Sequence, residues 1–182
     1  MNPTEEELLL QLSQPKSRSG AFSIVVRTYQ ERLYWHIRKM VLSHDDANDV
    51  LQNTFMKAWN GIDGFRGDSQ LSTWLYRIAT NETLTFLASK RMRSQNSIDD
   101  VEETLLQNLQ ADTYSNGTDI QLKLQKAILT LPEKQRLVFN MKYFHDIKYE
   151  EMEAILGTSV GALKASYHYA VKKIEKFFSE EE

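Results

Sequence analysis

Apolar side chains recur along this chain at helical spacing. Over residues 21–42 they are Phe22, Val25, Val26, Tyr29, Leu33, Ile37 and Met40, three or four positions apart, which puts them on one face of a helix. Ala47, Val50, Leu51, Thr54, Phe55 and Ala58 continue the pattern to about residue 60. Ser43 precedes them as an N-cap, with Asp45 and Asp46 suited to the positive end of the helix dipole. A third stripe, Leu71, Trp74, Leu75, Ile78, Leu84 and Leu87, predicts a helix over 69–91, after the glycine-punctuated loop GIDGFRG. Ahead of these, Thr4-Glu5-Glu6-Glu7 is a capping-box pattern that opens a short helix through Leu12, and Pro15 to Gly20 breaks it.

The pattern then changes. Residues 94–120 are rich in Asp, Glu, Gln, Asn, Ser and Thr and carry no sustained stripe. They read as a flexible acidic linker with one helical turn near 101–109. Helical spacing returns over 120–130, 132–144, 149–156 and 160–178, with Pro132 where a first turn tolerates it. The expected fold is all-α. Two small helical domains, 1–93 and 120–182, are joined by the linker 94–119, and the second contains a helix-turn-helix. Three prolines and seven glycines agree with this, because strand-rich folds need more turns.

Composition narrows the chemistry. The chain has no cysteine, which excludes disulfides and thiolate zinc sites. Its four histidines have no metal-ligand spacing, and phosphate-loop, nucleophile-elbow and paired-carboxylate patterns are missing. No catalytic residue, metal, cofactor or small-molecule substrate is expected. An acidic N-terminus and the lack of a membrane-length apolar run point to a soluble, cytoplasmic protein.

The net charge of −3 argues against a polyanionic partner until its distribution is read. Residues 16–93 hold 12 basic and 7 acidic side chains, and 121–178 hold 10 basic and 6 acidic. Between them, 94–120 holds six acids and no base. Two basic blocks flanked by acidic segments can bind polyanions locally, or can be ordinary solvated faces.

Residues 149–178 have the layout of a helix-turn-helix: a short helix, the turn Gly157-Thr158-Ser159, and a longer helix with Lys164, His168, Lys172, Lys173 and Lys176. A DNA-reading helix needs polar residues at base edges and cations near phosphates. A helical hairpin with a basic solvated face has the same layout. In the N-terminal half, Trp59, Phe65, Trp74, Tyr76 and Phe86 are interleaved with Arg66, Arg77, Lys90, Arg91 and Arg93. Aromatic faces stack single-stranded bases while cations track phosphates. Trp74, in mid-stripe, reads as core.

Four ordered segments carry a resemblance to a known family. DANDVLQNTFMKAW (46–59) resembles the sigma-factor segment that docks on the polymerase clamp. FRGDSQLSTWLYRIATN (65–81) resembles the segment that captures and melts the promoter minus-ten element. LPEKQRLVFNMKYF (131–144) and residues 149–174 are similar to the domain that reads the minus-thirty-five element. Together they identify the chain as similar to sigma factors of the extracytoplasmic-function type.

The resemblance implies an alternative sigma factor without catalytic activity. Its partners would be RNA polymerase core, at the clamp of the largest subunit and the flap, promoter DNA, and an anti-sigma factor. Asp49, Gln52, Phe55 and Trp59 would contact or support the clamp surface. Phe65, Arg66, Gly67, Asp68 and Ser69 would cup a flipped minus-ten base. Ser72, Thr73, Tyr76, Arg77 and Asn81 would continue along that strand. Ser159, Lys164, Ala165, His168, Tyr169 and Lys172 would face the minus-thirty-five element. Two features depart from the family: Glu153 stands where a small residue is usual at the helix crossing, and Ser166, Tyr169 and Val171 stand where arginines are usual. The residue pattern by itself leaves open a one-component helix-turn-helix regulator.

Overall fold

The computed structural model describes residues 3–93 and 119–180. The helical turn expected over 101–109 lies outside them. All regular structure among the described residues is helical. Helix α1, Glu5–Ser13, opens with the reciprocal cap expected: the Glu7 amide donates to Thr4 Oγ1 (3.2 Å) and the Thr4 amide donates to Glu7 Oε2 (2.9 Å). Helix α2, Arg18–Val41, stops at Leu42, whose φ of 63° is left-handed. Helix α3, His44–Gly61, is capped by Ser43, whose Oγ accepts from the Asp46 amide at 3.3 Å. A 3-10 turn, Ile62–Gly64, leads to the loop before α4, Leu71–Arg93.

The start of α4 is finished by a residue from another helix. The Leu71 amide donates to Glu5 Oε1 at 2.8 Å. A carboxylate there satisfies one orphan amide and meets the positive end of the α4 dipole. Arg18 holds the same end of the molecule together through Asp63, at 2.5 Å. The acidic N-terminus is thereby built into the fold.

The C-terminal helices are α5, Asp119–Leu129; α6, Glu133–Tyr143; α7, Tyr149–Leu156; and α8, Val160–Glu180. Their own core is Ala127, Ile128, Leu131, Phe139, Ala170 and Ile174. The Phe139 ring stacks between Tyr143 and Tyr167, with centroids 5.1 Å and 5.7 Å away.

The two helix groups share a second, larger core. It runs from Leu33, Ile37, Met40, Val50, Leu75 and Ala79 into Leu137, Met141, Ile147, Met152, Ile155 and Leu163. Helix α2 packs on α6, and α4 packs on α7. Fully buried side chains such as Met141 each contribute about 1.5–3 kcal/mol through removal of apolar surface from water. Polar contacts cross the same seam. Arg91 pairs with Glu133 at 3.0 Å, and Lys39 Nζ sits 3.6 Å from the centroid of the Phe144 ring. Asn140 Nδ2 donates to Met40 Sδ at 3.6 Å.

Two histidines face each other across this seam, with ring centroids 5.6 Å apart. His36 is fully buried and shares a 2.9 Å hydrogen bond with Thr80 Oγ1 through Nε2. Its Nδ1 and His145 Nε2 have no hydrogen-bond partner among the described residues. Burial, and then the neighbouring His145, push the His36 pKa down to about 3. Burial, followed by Lys39 and Arg32, pushes His145 down to about 4. Both rings are therefore neutral at pH 7. A depressed pKa contributes stability that is complete above the ordinary value of 6.5 and is lost as pH falls toward the folded-state value. Urea midpoints should thus decline as pH is lowered from 6.5 toward 4, and His145→Gln should make that decline shallower. Equal slopes for the two proteins would remove His145 from this role.

Candidate nucleic-acid interface

Helices α7 and α8 and the turn between them form a helix-turn-helix. Gly157 ends α7 in the left-handed region, φ 66° and ψ 24°, and its amide donates to the Glu153 carbonyl at 2.9 Å. Ser159 Oγ accepts from the Ala162 amide at 3.4 Å. Glu153 explains its departure from the expected small residue. Its side chain is exposed and accepts from the Val160 amide at 3.3 Å, finishing the start of α8. The buried residues between the two helices are Met152, Ile155 and Leu163.

Helix α8 has an inner and an outer side. Leu163, Ala170 and Ile174 are buried. Lys164, Ala165, His168, Tyr169 and Lys172 are exposed, as is Ser159. Tyr169 stands out most among them as an apolar surface, 58% exposed. Lys164 Nζ lies 5.7 Å from the centroid of the Tyr149 ring, which anchors the lysine stem over α7. All six residues expected at the upstream element are solvent-accessible.

Helix α3 carries a second exposed stripe. Asp49, Gln52 and Trp59 are exposed, and Phe55 is half-buried. Phe22 supports the aromatic pair from α2, its ring centroid 5.1 Å from Trp59 and 6.4 Å from Phe55. Met56, 56% exposed, lies between Gln52 and Trp59 on the same face. Sequence reasoning missed it. The available signal was its position off the apolar stripe of α3, where a large apolar side chain has no core to enter.

The third region is the loop before α4 and the face of α4 itself. Arg66, Gly67 and Asp68 are exposed, and Gly67 adopts φ 76°. Ser69 is half-buried. Phe65 packs on Trp74 with centroids 5.1 Å apart, and both rings are half-buried, so Trp74 is less interior than its place in the stripe predicts. Ser72 is half-buried and Asn81 exposed, whereas Thr73 and Tyr76 are buried. Both line a cleft opposite Phe144, His145 and Ile147 of the C-terminal group. The Tyr76 ring lies 5.1 Å from His36 and 6.1 Å from His145, and burial raises its hydroxyl pKa. Arg77 reaches α7: its Nε donates to the Ala154 carbonyl at 2.9 Å, and its Nη2 donates to the same oxygen. A cleft of about 480 Å³ remains between the two groups, lined by Arg32, Ser72, Thr73, Tyr76, His145 and Ile155 among others.

No group of three or more His, Asp or Glu among the described residues could hold a metal ion. No described helix is long and apolar enough to cross a membrane. The helix-turn-helix depends on the left-handed Gly157, where a Cβ is strained. Gly157→Ala should therefore destabilise the fold by about 1–2 kcal/mol in urea titrations; an unchanged midpoint would show that the turn relaxes without cost.

Comparison with known proteins follows the same division of the chain. Residues 25–93 match the family described as Sigma-70 region 2, and residues 121–174 match Sigma-70, region 4. The chain is 31% identical over 170 residues to the ECF RNA polymerase sigma-E factor of Escherichia coli, covering 88% of this chain and 87% of that protein. It is 29% identical over 164 residues to the RNA polymerase sigma-H factor of Pseudomonas aeruginosa, covering 86% and 85% of the two chains. Among solved structures, CnrH in complex with the cytosolic domain of CnrY has the same fold, with a TM-score of 0.71, 21% identity and coverage of 98% and 99%. The sigma factor RpoE of Bartonella quintana, solved with the anti-sigma factor NepR, aligns with a TM-score of 0.65, 24% identity and coverage of 87% and 96%.

Proposed function

The chain belongs to the extracytoplasmic-function group of sigma-70 factors, and from that premise we propose how its surfaces divide the work of promoter selection. It is an alternative sigma factor that binds RNA polymerase core and directs initiation at chosen promoters. It does so in the cytoplasm as a specificity subunit without catalysis of its own. Residues 1–93 act at the polymerase clamp and the minus-ten element, residues 94–119 link, and residues 120–182 act at the minus-thirty-five element and the flap.

The observation that carries this reading is the coincidence of two region matches with two exposed stripes. On α3, Asp49, Gln52, Met56 and Trp59 offer a mixed polar and apolar face to the clamp, with Phe55 beneath it. On α8, Lys164, Ala165, His168, Tyr169 and Lys172 face outward from a properly closed helix-turn-helix, with Ser159 at its entrance. Such a helix can lie in a major groove. With no arginine in α8, recognition leans on DNA shape and phosphate contacts more than on guanine edges.

At the downstream element, Phe65, Arg66, Gly67, Asp68 and Ser69 form the loop that receives an unstacked base, and Ser72, Thr73, Tyr76, Arg77 and Asn81 continue the track. Unstacking a base costs a few kcal/mol, so a preformed loop offsets part of the melting energy. An anti-sigma factor is the inhibitory partner, by analogy with the solved complex of RpoE and the anti-sigma factor NepR. A one-component regulator would need an effector or dimer domain, and region 2 spans that part of the chain instead.

Run-off transcription with purified core polymerase tests the function. Transcripts that depend on the protein are expected; none, together with no binding to core, would overturn the reading. Met56→Ala with Trp59→Ala should weaken core binding at least severalfold while circular dichroism stays unchanged. Lys164→Ala with His168→Ala should lower transcription from promoters that require the upstream element and leave core affinity intact. Both DNA contacts should weaken steeply with added salt, because phosphate binding releases counterions.

A further inference from the structure

The loop that receives an unstacked base, as assigned under the proposed function, is held at both ends by the N-terminal helix α1. At the loop's exit, Glu5 in the first turn of α1 accepts from the Leu71 amide through Oε1 at 2.8 Å. Leu71 opens α4 and is fully buried. At the loop's entry, the 3-10 turn Ile62–Gly64 carries Asp63. Its two carboxylate oxygens accept from Arg18 Nη1 at 3.1 Å and Nη2 at 2.5 Å. The same guanidinium donates through Nε to the Leu12 carbonyl in the last turn of α1, at 2.9 Å. One helix is thus tied at its start to the end of the loop and at its end to the loop's beginning. It is firmly seated itself, with Leu8 and Leu12 in the core and its face on α2.

Between the two ties Phe65 lies on Trp74, while Arg66, Gly67 and Asp68 are exposed. A short segment with fixed ends has few conformations open to it, and a receptor ordered in advance binds without the entropy cost of ordering. Glu5 and Arg18 both lie ahead of residue 25, where the match to Sigma-70 region 2 begins.

We propose that α1 is a bracket that presets the base-capturing loop, with Glu5 and Arg18 as positioning residues for promoter melting. Each acts through the loop end it holds and needs no contact with DNA. The inference rests on the reading of residues 65–69 as the loop that takes the minus-ten base.

Holoenzyme made with purified core polymerase tests it, by fluorescence anisotropy on forked DNA from a promoter found in the run-off assay. The fork is duplex upstream and single-stranded through the minus-ten element, and abasic sites are placed at each unpaired position in turn. The unaltered holoenzyme should lose affinity at one abasic position, that of the captured base. Removing a helix cap shifts a local equilibrium roughly two- to thirtyfold, and affinity falls with the fraction of chains whose loop is in place. Glu5→Ala should therefore bind the intact fork about fivefold more weakly, and should no longer respond to the abasic site at that position. Glu5→Gln keeps the acceptor oxygen and should recover most of the affinity and the abasic response. Arg18→Lys, which cannot span both Asp63 oxygens and the Leu12 carbonyl, should reproduce Glu5→Ala from the other end of the loop, and serves if Glu5→Ala fails to fold by circular dichroism.

A bracket that only stabilises the fold would lower affinity equally at every position and leave the abasic response intact; that result overturns the proposal. So does a Glu5→Gln variant no better than Glu5→Ala. A position-specific loss shared equally by the unaltered and altered chains leaves base capture standing and removes the bracket. No position-specific loss in the unaltered holoenzyme removes the base-capture reading itself.

Discussion

The apolar seam between the two helix groups governs the rest of this structure. The larger of the two cores belongs to both groups. Helices α2 and α4 complete their core only with Met141, Ile147, Met152 and Ile155 from the C-terminal group. Hydrophobic burial is non-directional, so the seam needs polar contacts to fix its register. Arg77 on Ala154, Arg91 on Glu133 and Lys39 on Phe144 do this from three sides. The two neutral histidines tolerate burial because their ionised forms are strongly disfavoured there.

Much of the local structure was legible in the sequence. The stripe over 21–42 became α2, Arg18–Val41, and the stripe over 69–91 became α4, Leu71–Arg93. The capping box at Thr4, the cap at Ser43 and the glycine stop at Gly157 each formed as their chemistry required. The outward set on α8 was legible too, because Leu163, Ala170 and Ile174 define its opposite side.

The seam was not legible, for a specific reason. His36 and Tyr76 meet His145 across it, and on α4 Thr73, Thr80 and Thr83 are buried too. A hydropathy pattern counts such residues as solvent-facing. Only the fold reveals that His36 finds Thr80, that Thr83 donates to the Ala79 carbonyl, and that Tyr76 meets a histidine from sixty-nine positions away. Cross-helix caps were hidden likewise. Glu5 at Leu71 and Glu153 at Val160 look like ordinary surface acids until the partners are near. Met56 was overlooked for the opposite reason, as an apolar residue with nothing to pack on.

Helix α7 has only eight residues, and both of its tasks fall within them. Met152 and Ile155 pack beneath α8, the second helix of the helix-turn-helix, while Ala154, one position away, supplies the oxygen held by Arg77. A substitution that tilts α7 to reseat α8 therefore moves the contact with α4 as well. The orientation of the helix-turn-helix and the packing of the two helix groups are inherited together.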